Sequence, residues 1–191
     1  MDLLTIIFVA FALSMDAFVV SMIFGLKAGE NKTKIALKAG AFFGFFQAVM
    51  PLLGWTIGFI MKSATGDLIN DYDHWVAFGL LLLIGLKMIH EATKNKHIPK
   101  GFNTGSIWVM LTLSVATSID ALAVGVSFAL IKIHILLAAA IIGIITFGVS
   151  FVGVSAGKKL CGFLGNKTEV AGGIILILIG LKILIEHLFF Q

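Results

Sequence analysis

Apolar residues run through this chain in six long blocks, separated by short stretches where lysine, asparagine, aspartate and glycine gather. The blocks fall near residues 3–26, 36–60, 73–91, 107–130, 136–157 and 168–189. Each is close to the 20 or so residues that a helix needs to cross a hydrocarbon layer. The pattern predicts an all-α integral membrane protein with six transmembrane helices. Nothing between the blocks is long enough for a separate soluble domain, so residues 1–191 read as a single membrane domain.

The two halves of the pattern repeat each other. The first span carries Ser14-Met15-Asp16-Ala17 and the fourth carries Ser118-Ile119-Asp120-Ala121. The second span has Gly44, Gly54 and Gly58, and the fifth has Gly143, Gly153 and Gly157 at the same spacing. The third ends in Gly85-Leu86-Lys87, the sixth in Gly180-Leu181-Lys182. Repeat 1 covers about residues 1–97 and repeat 2 about 104–191. Three spans is an odd number, so the second repeat must enter the membrane from the opposite side. This is an inverted-topology duplication, an arrangement common among secondary transporters, whose binding sites lie near the bilayer midplane between the repeats. Asp16 and Asp120, each about midway along its span, are expected to face each other there.

Composition supports the membrane reading and removes other classes. Of 191 residues 59% are hydrophobic and 13% charged, against about 25% charged in soluble domains; mean hydropathy is +1.08. All 14 basic residues are lysine. They sit mostly in short loops, so the basic balance signals orientation and not a nucleic-acid partner. Eleven lysines, Lys87 among them, flank the loops after spans one, three and five, against Lys62, Lys132 and Lys182 on the other side. The lysine-rich loops should therefore face the cytoplasm, with both termini outside. The first block lacks a basic leader and a small-residue cleavage site, so it reads as a retained span. The lone Cys161 can form no intrachain disulfide.

The candidate chemistry lies in the two aspartates. A carboxylate at bilayer depth costs roughly 2.5–3.5 kcal/mol on insertion scales and usually marks function. Two of them facing each other either share a proton or hold a cation that neutralises both. Nearby side chains are almost all oxygen donors: Ser14, Ser21, Thr117, Ser118 and Ser127, with Gln47 and Thr146 at corresponding positions of spans two and five. Met15 adds one thioether. No histidine or cysteine falls at mid-span, which favours Mg, Ca or Mn over Zn or Cu. The site should thus be Asp16 and Asp120, supported by Ser14, Ser118, Gln47, Thr146 and Met15. The cation would be cargo and not a resident cofactor. Ser14 and Asp16 point to nearly opposite sides of a regular helix. Both serve one ion only if the helix unwinds there; otherwise Ser14 and Ser118 should bond to neighbouring helices.

At these residues the chain resembles the bacterial manganese efflux pumps of the MntP type. The resemblance rests on the duplicated S-x-D-A phrase, on Gln47-Ala48-Val49-Met50-Pro51-Leu52-Leu53-Gly54-Trp55, and on Asp73-His74-Trp75-Val76-Ala77-Phe78, and it extends over essentially the whole chain. It implies a six-helix exporter of Mn2+ in the inner membrane that needs Asp16 and Asp120. Gln47 is uncharged where other members carry glutamate. The partners implied are Mn2+, the lipid bilayer and protons as coupling ion, with no nucleic acid; the sequence leaves the oligomeric state open.

Plainer accounts exist for several features. Glycines four apart, such as Gly54 and Gly58, let helices approach closely. Lys87 with Glu91, and Lys182 with Glu186, suit snorkelling lysines in local ion pairs near span ends. Trp55, Trp75 and Trp108 suit interfacial anchors. The Gly-x-x-x-x-Gly-Lys-Ser/Thr loop of ATP-driven pumps is absent. Two alternatives to Mn2+ export are export of another cation or a basic amino acid, and intramembrane aspartyl proteolysis. The latter lacks its Gly-x-Gly-Asp context here.

Overall fold

The structure, a computed structural model, describes residues 3–65, 73–93, 106–131 and 133–190. Six helices account for nearly all of them: α1 (Leu3–Lys27), α2 (Lys32–Thr65), α3 (Asp73–Thr93), α4 (Ile107–Thr117), α5 (Ile119–Leu130) and α6 (Ile135–Phe190). No strand occurs among the described residues. A short 3-10 turn, Gly29–Asn31, links α1 to α2 and opens on Gly29 at φ +53°, a left-handed conformation that glycine adopts without a Cβ clash.

Four helical stretches are long and apolar enough to cross a membrane: Leu3–Leu26, Lys32–Ser63, Ile107–Leu130 and Ile135–Gly157. A shorter apolar run, Phe78–Lys87, lies in α3. The outer surface is apolar as well, with Leu136 75% and Ile144 72% exposed. A surface of this kind suits lipid, where a helix needs no polar face.

Two departures from the expected spans are instructive. The fourth span is two helices, broken at Ser118, which sits at φ −95°, ψ 1° between α4 and α5. The fifth and sixth spans form one helical stretch, with no loop near residues 158–167. Its 56 residues would make a rod roughly 84 Å long at 1.5 Å per residue. The contacts show instead that it doubles back. Gly157 packs on Met22 and Gly25, whereas Gly180 packs on Phe78 and Leu81. Leu176 and Ile179 share a buried cluster with Ile6, Val9, Ala138 and Ile142.

Glycine contacts show how the halves interlock. A methyl group on Gly44 would come 2.8 Å from the carbonyl oxygen of Gly143, and one on Gly143 would come 3.0 Å from that of Gly44. This reciprocal crossing joins α2 to the first part of α6. On either side of it, Gly54 and Gly58 of α2 lie against Leu122, Val126 and Ala129 of α5. Gly153 and Gly157 of α6 lie against Phe18, Ser21, Met22 and Gly25 of α1. The second helix of each half therefore packs on the first helix of the other. In both places backbone meets backbone, because neither glycine has a side chain to hold the helices apart.

Candidate functional site

The two aspartates occupy unlike local structures. Asp16 lies within the unbroken α1, half-buried, and its Oδ1 accepts a hydrogen bond from the Ala17 N–H at 2.9 Å. Asp120 lies in the first turn of α5, immediately after the break at Ser118. A carboxylate is favoured there by the unpaired N–H groups and the positive end of the helix dipole. Its side chain is 13% exposed, and the Lys87 ammonium meets Oδ1 at 2.6 Å.

That contact gives Lys87 a partner that the sequence reading did not include. The residue ends the apolar run Phe78–Lys87. It lies six residues short of the end of α3 at Thr93, roughly 9 Å along the axis, and reaches across to α5. A lone ammonium and a lone carboxylate would each be costly at this depth, and their pairing offsets much of that cost. The side chains of Glu91, Lys182 and Glu186 lie outside the described residues.

The expectation for Ser14 and Ser118 is corrected. Among the described residues neither hydroxyl bonds to a neighbouring helix. Ser14 Oγ donates to the Phe11 carbonyl at 2.8 Å and Ser118 Oγ to the Val115 carbonyl at 3.0 Å. A hydroxyl in apolar surroundings finds the carbonyl three or four residues back on its own helix more easily than a distant acceptor. Thr117 and Ser127 do the same, to Leu113 and Ala123. Met15 is partly buried and lines a groove with Phe11, Phe18, Ile145 and Gly148.

Gln47 and Thr146 behave differently. Both are fully buried. Gln47 Nε2 donates to the Leu13 carbonyl at 2.7 Å, tying α2 to α1 one turn before Asp16, while its Oε1 has no partner. Thr146 Oγ1 has none either, nor do Ser21 Oγ and Ser150 Oγ. Pro51, inside α2, has no N–H to donate to the Gln47 carbonyl four residues back. Ser150 stands where the repeat places Pro51, just as Thr146 stands where it places Gln47. Buried polar atoms are normally satisfied, and those that are not call for an explanation. Here the unsatisfied side-chain atoms are oxygens, on α1, α2 and α6, and two of them, on Gln47 and Thr146, stand at matched places of the two halves. They are neutral donors suited to a hard cation or to water.

The structure thus brings Gln47 to the α1 turn that precedes Asp16, and Lys87 to Asp120. Among the described residues no group of three or more histidine, cysteine, aspartate or glutamate side chains gathers into a ready-made metal cluster. Sequence reasoning missed Ser150 and the Lys87–Asp120 pair. Ser150 lies four residues beyond Thr146, on the same helix face, and Lys87 belongs to a landmark that both halves share. Those two signals could have found them.

Comparison with known proteins bears on what such a scaffold does. The family model described as "Mntp: Putative manganese efflux pump" matches residues 30–184. The chain belongs to this family. Proteins named "Putative manganese efflux pump MntP" from Gloeothece citriformis, Methanocorpusculum labreanum and Actinobacillus succinogenes are 46%, 48% and 47% identical to it. The alignments cover 100%, 97% and 98% of this chain and 99%, 97% and 98% of those proteins. No solved structure matches. The family is one of efflux pumps and not of enzymes, which leaves the aspartyl protease reading without support.

Proposed function

We propose that this protein exports Mn2+ across the cytoplasmic membrane by alternating access, at a midplane site built around Asp16 and Asp120. Membership of the manganese efflux family carries the reading. It is supported by two carboxylates in apolar spans and by unsatisfied buried oxygens at Gln47, Thr146, Ser21 and Ser150. Oxygen donors replace part of the hydration shell of a divalent ion, and the carboxylates balance its charge. Ser14, Ser118 and Met15 are the remaining supporting groups. Mn2+ is cargo. The proton gradient or the membrane potential drives the cycle, both termini lie outside, and the interlocked helix pairs rock about the Gly44–Gly143 crossing.

One observation favours a second reading, export of a basic amino acid: Asp120 already accepts an ammonium group from Lys87. Uptake of radiolabelled Mn2+ into everted vesicles, challenged with free lysine, Mg2+, Ca2+ and Cd2+, separates the two. Mn2+ export predicts saturable uptake that lysine leaves untouched. Amino-acid export predicts labelled lysine uptake in place of Mn2+ uptake.

A further inference from the structure

The ammonium of Lys87, the last residue of the apolar run Phe78–Lys87, meets at 2.6 Å the carboxylate of Asp120, which lies midway along the apolar stretch Ile107–Leu130. The two partners are not equally enclosed. Lys87 is 41% exposed on its side chain, and Asp120 13%. The lysine therefore approaches from the outer flank of α3, on a long flexible stem, toward a carboxylate fixed in the first turn of α5. Such a stem can swing away while the carboxylate stays. A dication and an ammonium cannot both lie within contact distance of one carboxylate oxygen, because they repel each other strongly where the dielectric is low.

We propose that Lys87 is a tethered counter-cation, occupying Asp120 when the carrier is empty and giving way when the transported cation arrives. The proposal rests on Asp120 belonging to the cation site, as read above. The empty carrier then crosses between its two faces with the charge of Asp120 neutralised by a group that never leaves the protein. Loading trades one cation for another at the same oxygen, so Lys87 also sets how tightly the site holds its cargo. A competitor tied to the protein weakens affinity without any change in the ligands themselves. That suits an exporter, which must release what it binds.

Mn2+ binding to purified protein in detergent, by calorimetry at mildly alkaline pH, tests this directly. Lys87→Met should bind Mn2+ about ten-fold more tightly than the wild type, within the 5–150-fold range usual for coupled ligands. Its net export in reconstituted vesicles should fall, and Lys87→Arg should restore both. If Lys87→Met binds Mn2+ equally or more weakly, the counter-cation role is wrong. Asp120→Asn speaks to the underlying reading: unchanged Mn2+ binding by that variant removes Asp120 from the site, and this proposal with it. A measurement on the unmodified chain guards against a variant that fails to fold. Amine-reactive labelling resolved by mass spectrometry should show Lys87 more reactive at saturating Mn2+, and unchanged or reduced reactivity overturns the idea.

Discussion

The phrases around Asp16 and Asp120 are close in sequence yet differ in backbone. In α1 the helix runs straight through Ser14 and Asp16. In the second half the chain breaks at Ser118, whose N–H is shared between the carbonyls of Ser114 and Val115, both at 3.2 Å. The phrase itself does not decide the break, since both serines bond back to a carbonyl three residues earlier. The consequence is electrostatic. Asp120 gains the N-terminal turn of a new helix, while Asp16 sits in mid-helix, where peptide N–H groups are already committed. A duplicated motif can thus place two identical side chains in unequal fields.

The strongest test of this comparison is charge removal. Asp16→Asn and Asp120→Asn should each lower Mn2+ export in everted vesicles at least ten-fold, with protein still reaching the membrane. Normal export by either variant would mean that the halves do not share one site. Next in size come the interlocking glycines. Gly54→Ala drives a methyl into the Leu122 carbonyl, whereas Gly153→Ala meets the Phe18 carbonyl at 3.0 Å and a Ser21 methylene at 2.9 Å. Overpacking of this kind costs about 1–3 kcal/mol. Gly54→Ala should melt in detergent below Gly153→Ala, and the reverse order would contradict the packing.

Smaller effects separate binding from architecture. Gln47→Ala breaks the bond to Leu13 and should cost roughly 0.6–1.7 kcal/mol of stability, the span seen for interhelical bonds in membranes. Thr146→Val removes a hydroxyl that has no partner, so thermal stability should hold or rise while Mn2+ affinity falls. Equal affinity would assign that oxygen to water. Smallest of all, Ser14→Ala and Ser118→Ala should each shift stability by less than about 0.5 kcal/mol, since bonds back to a helix's own carbonyls add little. A larger loss at Ser118 alone would show that the break depends on its hydroxyl.

Much of this molecule is written along the chain. Long apolar blocks specify membrane helices because a backbone in lipid must satisfy its own hydrogen bonds. The spacing of Gly44, Gly54 and Gly58 against Gly143, Gly153 and Gly157 exposes the duplication, because close backbone approach tolerates no side chain. The positions of the aspartates follow from the S-x-D-A phrase that both halves carry. What a one-dimensional pattern does not carry is which helix meets which, and how each polar group is then satisfied. Only the tertiary structure set α2 on α5 and the first part of α6 on α1, turned Lys87 from a span end toward Asp120, broke the fourth span at Ser118, and left the oxygens of Gln47, Thr146, Ser21 and Ser150 without partners. Hydropathy is a property of each residue taken singly, whereas pairing depends on distances between segments that the sequence holds far apart.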